Sequence, residues 1–196
     1  MARTLYLVRH GETMFNVRRI MQGWTDSPLT ELGVEQAERV GRYFKHEGLT
    51  FDHAYASTLA RTHQTIEAIT DMPFSREPGL REMYFGEYEA ERFALLPPRP
   101  WNDFFVKFGG ESEDELRNRV CSTLTNIMER PGHEQVLAVS HGSACRAFLF
   151  AWAENTDFGP RDIPGNCSVM RYSYENGVFK LTQVVEQEEM REVLGE

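Results

Sequence analysis

The stretch LYLVRHGETMFN, from Leu5 to Asn16, joins a short apolar run to polar residues that can carry chemistry. An apolar run of this length that ends in polar residues is typical of a central strand covered on both faces. The segments FDHAYAS (51–57) and QVLAVS (135–140) have the same character, and helical patterns lie between the three. This alternation predicts an α/β protein, a three-layer α/β/α sandwich with a mostly parallel central sheet.

Helices are predicted where a capping residue precedes an apolar pattern of helical period. They extend from Thr30 to about His46, from Ser57 to about Thr70, from the Ser112-x-x-Glu115 capping box to about Glu129, and over residues 143–153. The Asn-Gly pair at 176–177 separates two strand patterns and predicts a C-terminal β-hairpin. The acidic tail, residues 186–196, is predicted to be a solvated helix or a frayed end.

Length and composition restrict the class of protein. The chain has 196 residues, of which 41% are hydrophobic and 26% are charged. This is enough material for one sizeable core and too little for two ordinary domains, so a single domain over residues 1–196 is predicted. No apolar run approaches the roughly 20 residues that a membrane span requires, and no signal peptide is expected, so we predict a cytoplasmic protein without a membrane partner.

The net charge and the cysteine content argue against a nucleic-acid partner and a metal site. The net charge of −9 disfavours nucleic acid as a partner, because phosphate backbones favour basic surfaces. The three cysteines, Cys121, Cys145 and Cys167, are widely spaced and form no CxxC pair. They are interpreted as buried free thiols, and no metal site is predicted.

Three predicted strands end in residues that can carry chemistry. The first ends in Arg9-His10-Gly11, the second in Ser57 with Arg61 one turn into the following helix, and the third in Ser140-His141-Gly142. In open α/β sheets, ligands bind beyond the carboxyl ends of the strands. Two histidines and two arginines are therefore expected to share one edge of the sheet.

This set of side chains fits phosphoryl transfer. A neutral imidazole is a good nucleophile toward phosphorus, and arginine guanidinium groups match phosphoryl oxygens. The glycines after His10 and His141 are expected to let phosphate approach the backbone closely. Glu82, in LREMYFGEYE (80–89), is the candidate proton donor for the leaving oxygen. Glu87 and Glu89 follow it and are the alternatives for that role.

With these motifs in this order, the chain resembles the histidine phosphatase superfamily, the phosphoglycerate-mutase-like group. The matching segments are RHGET (9–13) with Asn16, GWTDSPLTELG (23–33), the SxLxRTxQT pattern (57–65), LREMYFGEYE (80–89) and VSHGS (139–143). The resemblance implies that His10 becomes a phosphohistidine, that Arg9, Arg61 and His141 bind the phosphoryl group, and that Glu82 is the acid/base. It implies no metal and no organic cofactor. It also implies that Asn16, Gln22, Gly23 and Gly142 contribute to the phosphate pocket.

Two segments bear on substrate and reaction. Residues 84–108 are rich in aromatic side chains and proline, which fits either a cap over the active site or simple packing on the core.

Mutases of this group resemble one another in a segment R-H-Y-G-x-L-Q-G with further basic residues, whereas this chain reads REMYFGEYEAER (81–92). The departure favours a phosphatase for small anionic phosphomonoesters. The alternatives are a cofactor-dependent phosphoglycerate mutase and a non-catalytic module that binds phosphorylated ligands. Ala90 also replaces the glycine that usually ends this motif, which puts the local loop geometry in question.

Overall fold

A computed structural model describes residues 3–155 and 164–196. The six strands are β1 (Arg3–Arg9), β2 (His53–Ala56), β3 (Ser75–Arg76), β4 (Gln135–Ser140), β5 (Val169–Glu175) and β6 (Val178–Val185). The six α-helices are α1 (Met14–Arg18), α2 (Glu31–His46), α3 (Ala60–Ile69), α4 (Glu113–Met128), α5 (Gly142–Ala151) and α6 (Gln187–Leu194). Short 3₁₀ turns lie between β3 and α4.

The strands form one sheet in the order β3-β2-β4-β1-β5-β6. The first four strands of this order pair in parallel, and β5 and β6 pair antiparallel at the other side. The predicted mostly parallel sheet and the C-terminal hairpin are therefore confirmed. Because β4 lies between β1 and β2, the three predicted chemical strand ends lie next to one another.

Alternate residues of β1 point to opposite faces of the sheet, and each face has its own core. Leu5 and Leu7 belong to one apolar cluster, which also includes side chains of α4 and α5. Tyr6 and Val8 belong to the other, which includes side chains of α2, α3 and α6. The sheet is thus enclosed between two helical layers, as the sequence predicts.

Helix α3 begins later than predicted, and Ser57 does not cap it. The residue before the helix, Leu59, makes no side-chain cap. Instead the carboxylate of Asp26, from a distant loop, accepts hydrogen bonds from the backbone N–H groups of Ala60 and Arg61. The helix N-terminus attracts this carboxylate because its first N–H groups have no partner within the helix. The predicted caps at Thr30 and Ser112 are confirmed.

The C-terminal tail is the predicted helix, with most of its side chains exposed, and it is not frayed. It forms α6, whose Met190 is fully buried against α2 and its neighbours. The buried Arg39 of α2 donates to Gln187 and to Glu196 at distances of 2.7 and 2.8 Å. One apolar anchor and these charged contacts fix the tail to the body of the protein. Cys145 and Cys167 are buried free thiols as predicted, whereas Cys121 is only partly buried.

Candidate active site

The adjacent ends of β1 and β4 bring the two motif histidines together. Arg9 lies opposite Ser140 in the register, and the backbone N–H of His10 donates to the carbonyl of Ser140 at 3.0 Å. The imidazole of His141 then stands edge-on to that of His10, with 5.3 Å between ring centroids. The sheet register alone therefore assembles residues that are far apart in the sequence.

His10 is held as a neutral imidazole. Its Nδ1 lies 2.7 Å from the carbonyl oxygen of Gly11. Because a carbonyl can only accept, Nδ1 carries the proton and Nε2 retains its lone pair. Burial, followed by the charges of Arg61 and Arg9, holds the pKa of His10 well below its usual value. The free Nε2 is therefore a nucleophile at neutral pH.

Arg61 is completely buried and is fixed by four contacts. Its Nη1 donates to the carbonyl of Thr25 and to Asp26 Oδ1, both at 3.0 Å, and its Nη2 donates to the carbonyl of Gly23 at 2.7 Å. Its Nε donates to His141 Nδ1 at 3.1 Å. One Nη2–H is left for a ligand, since a guanidinium has five N–H groups.

His141 lies behind this arginine rather than on the cavity wall. Its Nδ1 accepts from Arg61, so its Nε2 carries the proton and donates to Ser57 Oγ at 2.7 Å. Both ring nitrogens thus contact the protein. Burial, with the charge of Arg61 next, lowers the pKa of His141 well below its usual value, which keeps this imidazole neutral as well.

Two polar side chains at the cavity have buried atoms without a partner in the described part of the chain. Arg9 donates through Nη1 to the carbonyl of Pro164 at 2.6 Å, but its Nε has no hydrogen-bond acceptor. The Oε1 of Gln22 has no donor. Unpartnered buried polar atoms are costly, and at a cavity wall they indicate a site that a polar ligand completes.

Asn16 is oriented by its neighbours so that its amide N–H₂ remains available. Its Oδ1 accepts from the backbone N–H of Thr13 and from Asn166 Nδ2, at 3.1 and 3.3 Å. Asn166 also donates to the carbonyl of His10 at 3.0 Å. The sequence does not point to Asn166, because this residue belongs to no motif and reaches the site from far along the chain.

Glu82 lies at the N-terminus of α5. Its Oε2 accepts from the backbone N–H of Ser143 at 3.0 Å, and its Oε1 accepts from those of Ala144 and Met83, at 3.1 and 2.9 Å. Its own carbonyl accepts from Trp24 Nε1 and Arg119 Nη2, at 2.9 and 3.1 Å. The carboxyl group is therefore fixed from both its side chain and its backbone.

The two alternatives to Glu82 lie elsewhere. Glu87 is exposed, and Glu89 accepts hydrogen bonds from the backbone N–H groups of Trp24, Thr25 and Phe85. Glu89 therefore ties the loop that contains Gly23 to the loop after Glu82. A side chain at Gly23 would collide with the Glu89 carboxylate.

The two motif glycines have different surroundings. Gly142 lines the cavity, as expected for close approach by phosphate. Gly11 does not: a Cβ there would collide with the backbone of Gly33 in α2. The expectation that Gly11 serves phosphate approach is replaced by a packing reason, the contact between α2 and the segment after β1.

These residues surround one cavity. Arg9, His10, Asn16, Gln22, Gly23, Arg61, Glu82 and Gly142 all line it, so every predicted site residue except His141 reaches the wall. The segment 84–108 contributes Phe85, Phe93, Arg99 and Trp101. Of the aromatic residues in this segment, Trp101 and Phe105 are buried, whereas Phe93 is 44% exposed, so packing on the core accounts for only part of it.

Metal-binding clusters and membrane-spanning helices are both missing from the described residues. In residues 3–155 and 164–196, no group of three or more His, Cys, Asp or Glu side chains is arranged to hold a metal ion. Across the same residues, no helix has the length and apolar character needed to cross a membrane.

A comparison with protein families matches residues 5–187 to the histidine phosphatase superfamily (branch 1). A curated relative from Proteus mirabilis (strain HI4320), probable phosphoglycerate mutase GpmB, is 37% identical over 185 residues, which cover 88% of this chain and 85% of the relative.

Among solved structures, phosphoglycerate mutase from Bacillus anthracis str. Sterne matches with a TM-score of 0.85 and 23% identity, over 98% of this chain and 97% of the other. At that identity the match shows the fold alone. A phosphoserine phosphatase from Entamoeba histolytica, in complex with phosphoserine, matches with a TM-score of 0.80 and 25% identity, over 95% of this chain and 98% of the other.

Proposed function

The chain belongs to the histidine phosphatase superfamily, and from this we propose that it is a phosphatase that hydrolyses small phosphomonoesters through a phosphohistidine on His10. One observation carries the proposal. The buried, neutral imidazole of His10 has its Nδ1 fixed by the Gly11 carbonyl and its Nε2 free at a cavity that is also lined by Arg9 and Arg61.

In the first step, His10 Nε2 attacks phosphorus and the bond from phosphorus to the leaving oxygen breaks. Glu82, protonated, gives its proton to that oxygen. The free Nε–H of Arg9, the remaining Nη2–H of Arg61 and the amide N–H₂ of Asn16 stabilise the equatorial oxygens. Gln22 Oε1, an acceptor, takes a hydrogen bond from a hydroxyl of the substrate or of the phosphoryl group.

In the second step, Glu82 is a carboxylate and removes a proton from water. The resulting nucleophile attacks the phosphohistidine, inorganic phosphate leaves and His10 becomes neutral again. His141 holds Arg61 in place during both steps through the Nε–H to Nδ1 hydrogen bond. Direct binding of phosphate by His141 stays a prediction, since its Nε2–H would first have to leave Ser57.

The test is phosphate release from a panel of phosphomonoesters in excess chelator, for the wild type, His10→Ala and His46→Ala. His46 is an exposed histidine of α2 and serves as the matched control. We expect turnover that resists the chelator, disappears in His10→Ala and persists in His46→Ala. Turnover that survives in His10→Ala, or that needs a metal ion, would contradict the proposal.

The second candidate is a phosphoglycerate mutase, which the Proteus mirabilis relative favours by its description. A mutase returns the phosphoryl group to substrate, so it interconverts 2- and 3-phosphoglycerate without stoichiometric release of phosphate. Quenching in alkaline detergent after brief incubation with substrate labelled in its phosphoryl group, followed by acid treatment of half of each sample, distinguishes both enzymes from a module that only binds phosphorylated ligands. An acid-labile label on wild-type protein, absent from His10→Ala, is expected of either enzyme and not of the module.

A further inference from the structure

A second cavity adjoins the first and shares two wall residues with it. Arg99 and Ser143 line both cavities. Arg99 Nη2 lies 3.3 Å from Ser143 Oγ. These two side chains lie at the boundary between the cavities.

The second cavity lies between helices α4 and α5. Ser143, Arg146 and Phe150 follow one another at intervals of three and four residues, so they share one face of α5. Glu113 and Arg117 come from the facing side of α4. The site is therefore built on two helices that pack together in the core, rather than on loops alone.

Positive charge exceeds negative charge in this cavity. Arg99 Nη1 donates to Glu113 Oε1 at 2.8 Å, and Arg146 Nη1 lies 3.9 Å from the same oxygen. One carboxylate thus faces two guanidinium groups. Arg117 pairs with Asp114 at 2.9 Å, so its charge is already matched. Within residues 3–155 and 164–196, Glu113 is the only carboxylate within 4 Å of the Arg99 and Arg146 guanidinium groups, so their combined charge exceeds its own.

Both arginines are positioned to receive an anion. The guanidinium of Arg99 lies over the ring of Trp101 at 3.6 Å, and that of Arg146 lies over Phe150 at 4.3 Å. Stacking fixes the guanidinium plane and leaves its edge for hydrogen bonds. Arg99 uses two of its five N–H groups on Glu113 and Ser143, so three remain for a ligand. In the described part of the chain, Arg146 donates no hydrogen bond. Burial, together with the charge of Arg146, lowers the pKa of Arg99.

We propose that the second cavity binds another anionic group of the substrate, a carboxylate or a second phosphate, between Arg99 and Arg146. This rests on the proposed function, because the scissile phosphoryl group is placed at His10. The preferred substrates are then phosphomonoesters that carry a further negative charge. These arginines also supply cationic groups from outside the segment 81–92, which weakens the sequence argument against a mutase.

The test compares kcat/KM for substrates that differ in the distal anion. Matched pairs are 3-phosphoglycerate with glycerol 3-phosphate, and fructose 1,6-bisphosphate with fructose 6-phosphate, so that the carboxylate and phosphate cases are separated. In the wild type we expect the doubly anionic member of at least one pair to be preferred. In Arg146→Gln we expect that preference to fall at least about tenfold, the usual effect of losing a charged hydrogen bond.

Two further variants separate recognition from structure. Arg146→Lys keeps the charge and is expected to retain most of the preference for the doubly anionic substrate. If Arg146 acted only by stacking its guanidinium on Phe150, lysine would not restore that preference. Arg117→Gln removes a charge from the same cavity that is already paired with Asp114, and we expect it to change the preference less than about twofold. A preference that is absent in the wild type, or equal in Arg146→Gln, would overturn the inference.

A binding measurement separates this inference from the proposed function. The dissociation constants of the same four compounds for His10→Ala, with and without Arg146→Gln, need no turnover. If the wild type hydrolyses an aryl phosphate but neither assay detects selection for the second anion, the phosphatase proposal stands and the inference fails. If no compound is hydrolysed but Arg146→Gln weakens only the doubly anionic ligands, the inference stands and the phosphatase proposal fails.

Discussion

At the scale of single residues, Glu82 carries the most specific chemical prediction. Glu82→Gln removes the ionisable proton and keeps one acceptor oxygen, which serves either the N–H of Ser143 or those of Ala144 and Met83. We expect kcat/KM on alkyl phosphates to fall about a hundredfold or more, because their leaving groups need a proton. Aryl phosphates with good leaving groups should lose less than about tenfold. Steady-state kinetics on one substrate of each kind provides the measurement.

The matched control for this change is Glu87→Gln, five residues away and exposed. It should leave both substrates unaffected. Equal losses on the alkyl and aryl substrates in Glu82→Gln would show that the residue acts in binding or folding rather than as the acid.

Ala90 occupies the position where the motif usually has glycine, and the structure gives the reason for that glycine. Its φ is +64°, in the left-handed region that costs an alanine about 1 to 2 kcal/mol. Ala90→Gly removes this strain but adds about 0.5 to 1 kcal/mol of chain entropy. We therefore expect a net stabilisation of about 0.5 to 1 kcal/mol by urea unfolding. Ala60→Gly, at the first residue of α3, should give no stabilisation.

Most cavity residues were predictable because each follows a strand or lies in a motif. His10, Arg61 and Glu82 belong to this group. Arg99 and Asn166 were not, because no period or motif marks them and only tertiary packing brings them to the cavity. The same limit applies to Glu89, whose role in joining two loops depends on three backbone N–H groups that the sequence does not reveal.

At the scale of elements, the contact between α2 and the segment after β1 depends on a pair of glycines. A Cβ at Gly33 would collide with the carbonyl oxygen of Glu12, a backbone atom that cannot move aside without shifting the segment that carries His10. Gly33→Ala should therefore destabilise by about 2 to 3 kcal/mol and reduce kcat. Denaturant unfolding and turnover of an aryl phosphate measure the two effects.

Gly48→Ala is the comparison for Gly33→Ala. Gly48 follows the end of the same helix at a φ of +65°, and a Cβ there would meet no other atom within 4 Å. Only backbone strain of about 1 kcal/mol therefore opposes alanine at this position. Its turnover should be normal. If Gly33→Ala were no more harmful than Gly48→Ala, the close approach to Glu12 would not constrain the site.

The helix starts that could be predicted are those whose capping residue is adjacent in the sequence. Thr30 and Ser112 cap their own helices, so both starts could be predicted from adjacent residues. The start of α3 could not, because its capping carboxylate, Asp26, comes from 34 residues earlier in the chain. That same carboxylate pairs with Arg61, so one side chain fixes both the helix start and the arginine that we propose binds phosphate.

At the scale of the whole molecule, the two motif histidines make stability depend on pH. Burial lowers the pKa of His10 and His141 well below the value of about 6.5 that they have in the unfolded chain. The unfolded state therefore binds more protons as pH falls, so the stabilisation is complete above about pH 6.5 and is lost below it. Each group should contribute a slope of up to about 1.4 kcal/mol per pH unit.

Urea unfolding at pH 7.5, 6.5 and 5.5 measures this dependence. His10→Ala should have a shallower slope than the wild type between pH 6.5 and 5.5, whereas His46→Ala should have the same slope. A wild-type free energy of unfolding that stays constant over this range would contradict the assignment of two buried neutral imidazoles.

The order of strands in the sheet has a consequence for synthesis on the ribosome. β1 and β2 leave the ribosome early, yet they are not neighbours; β4, which begins at Gln135, separates them and pairs with both, and β1 gains its second neighbour, β5, later still. Non-local pairing of this kind forms late, because the chain must close long loops first. A nascent chain that stops before β4 carries His10, the proposed nucleophile, but lacks the strand that places it beside His141. We therefore expect enzymatic activity only after most of the chain has been translated.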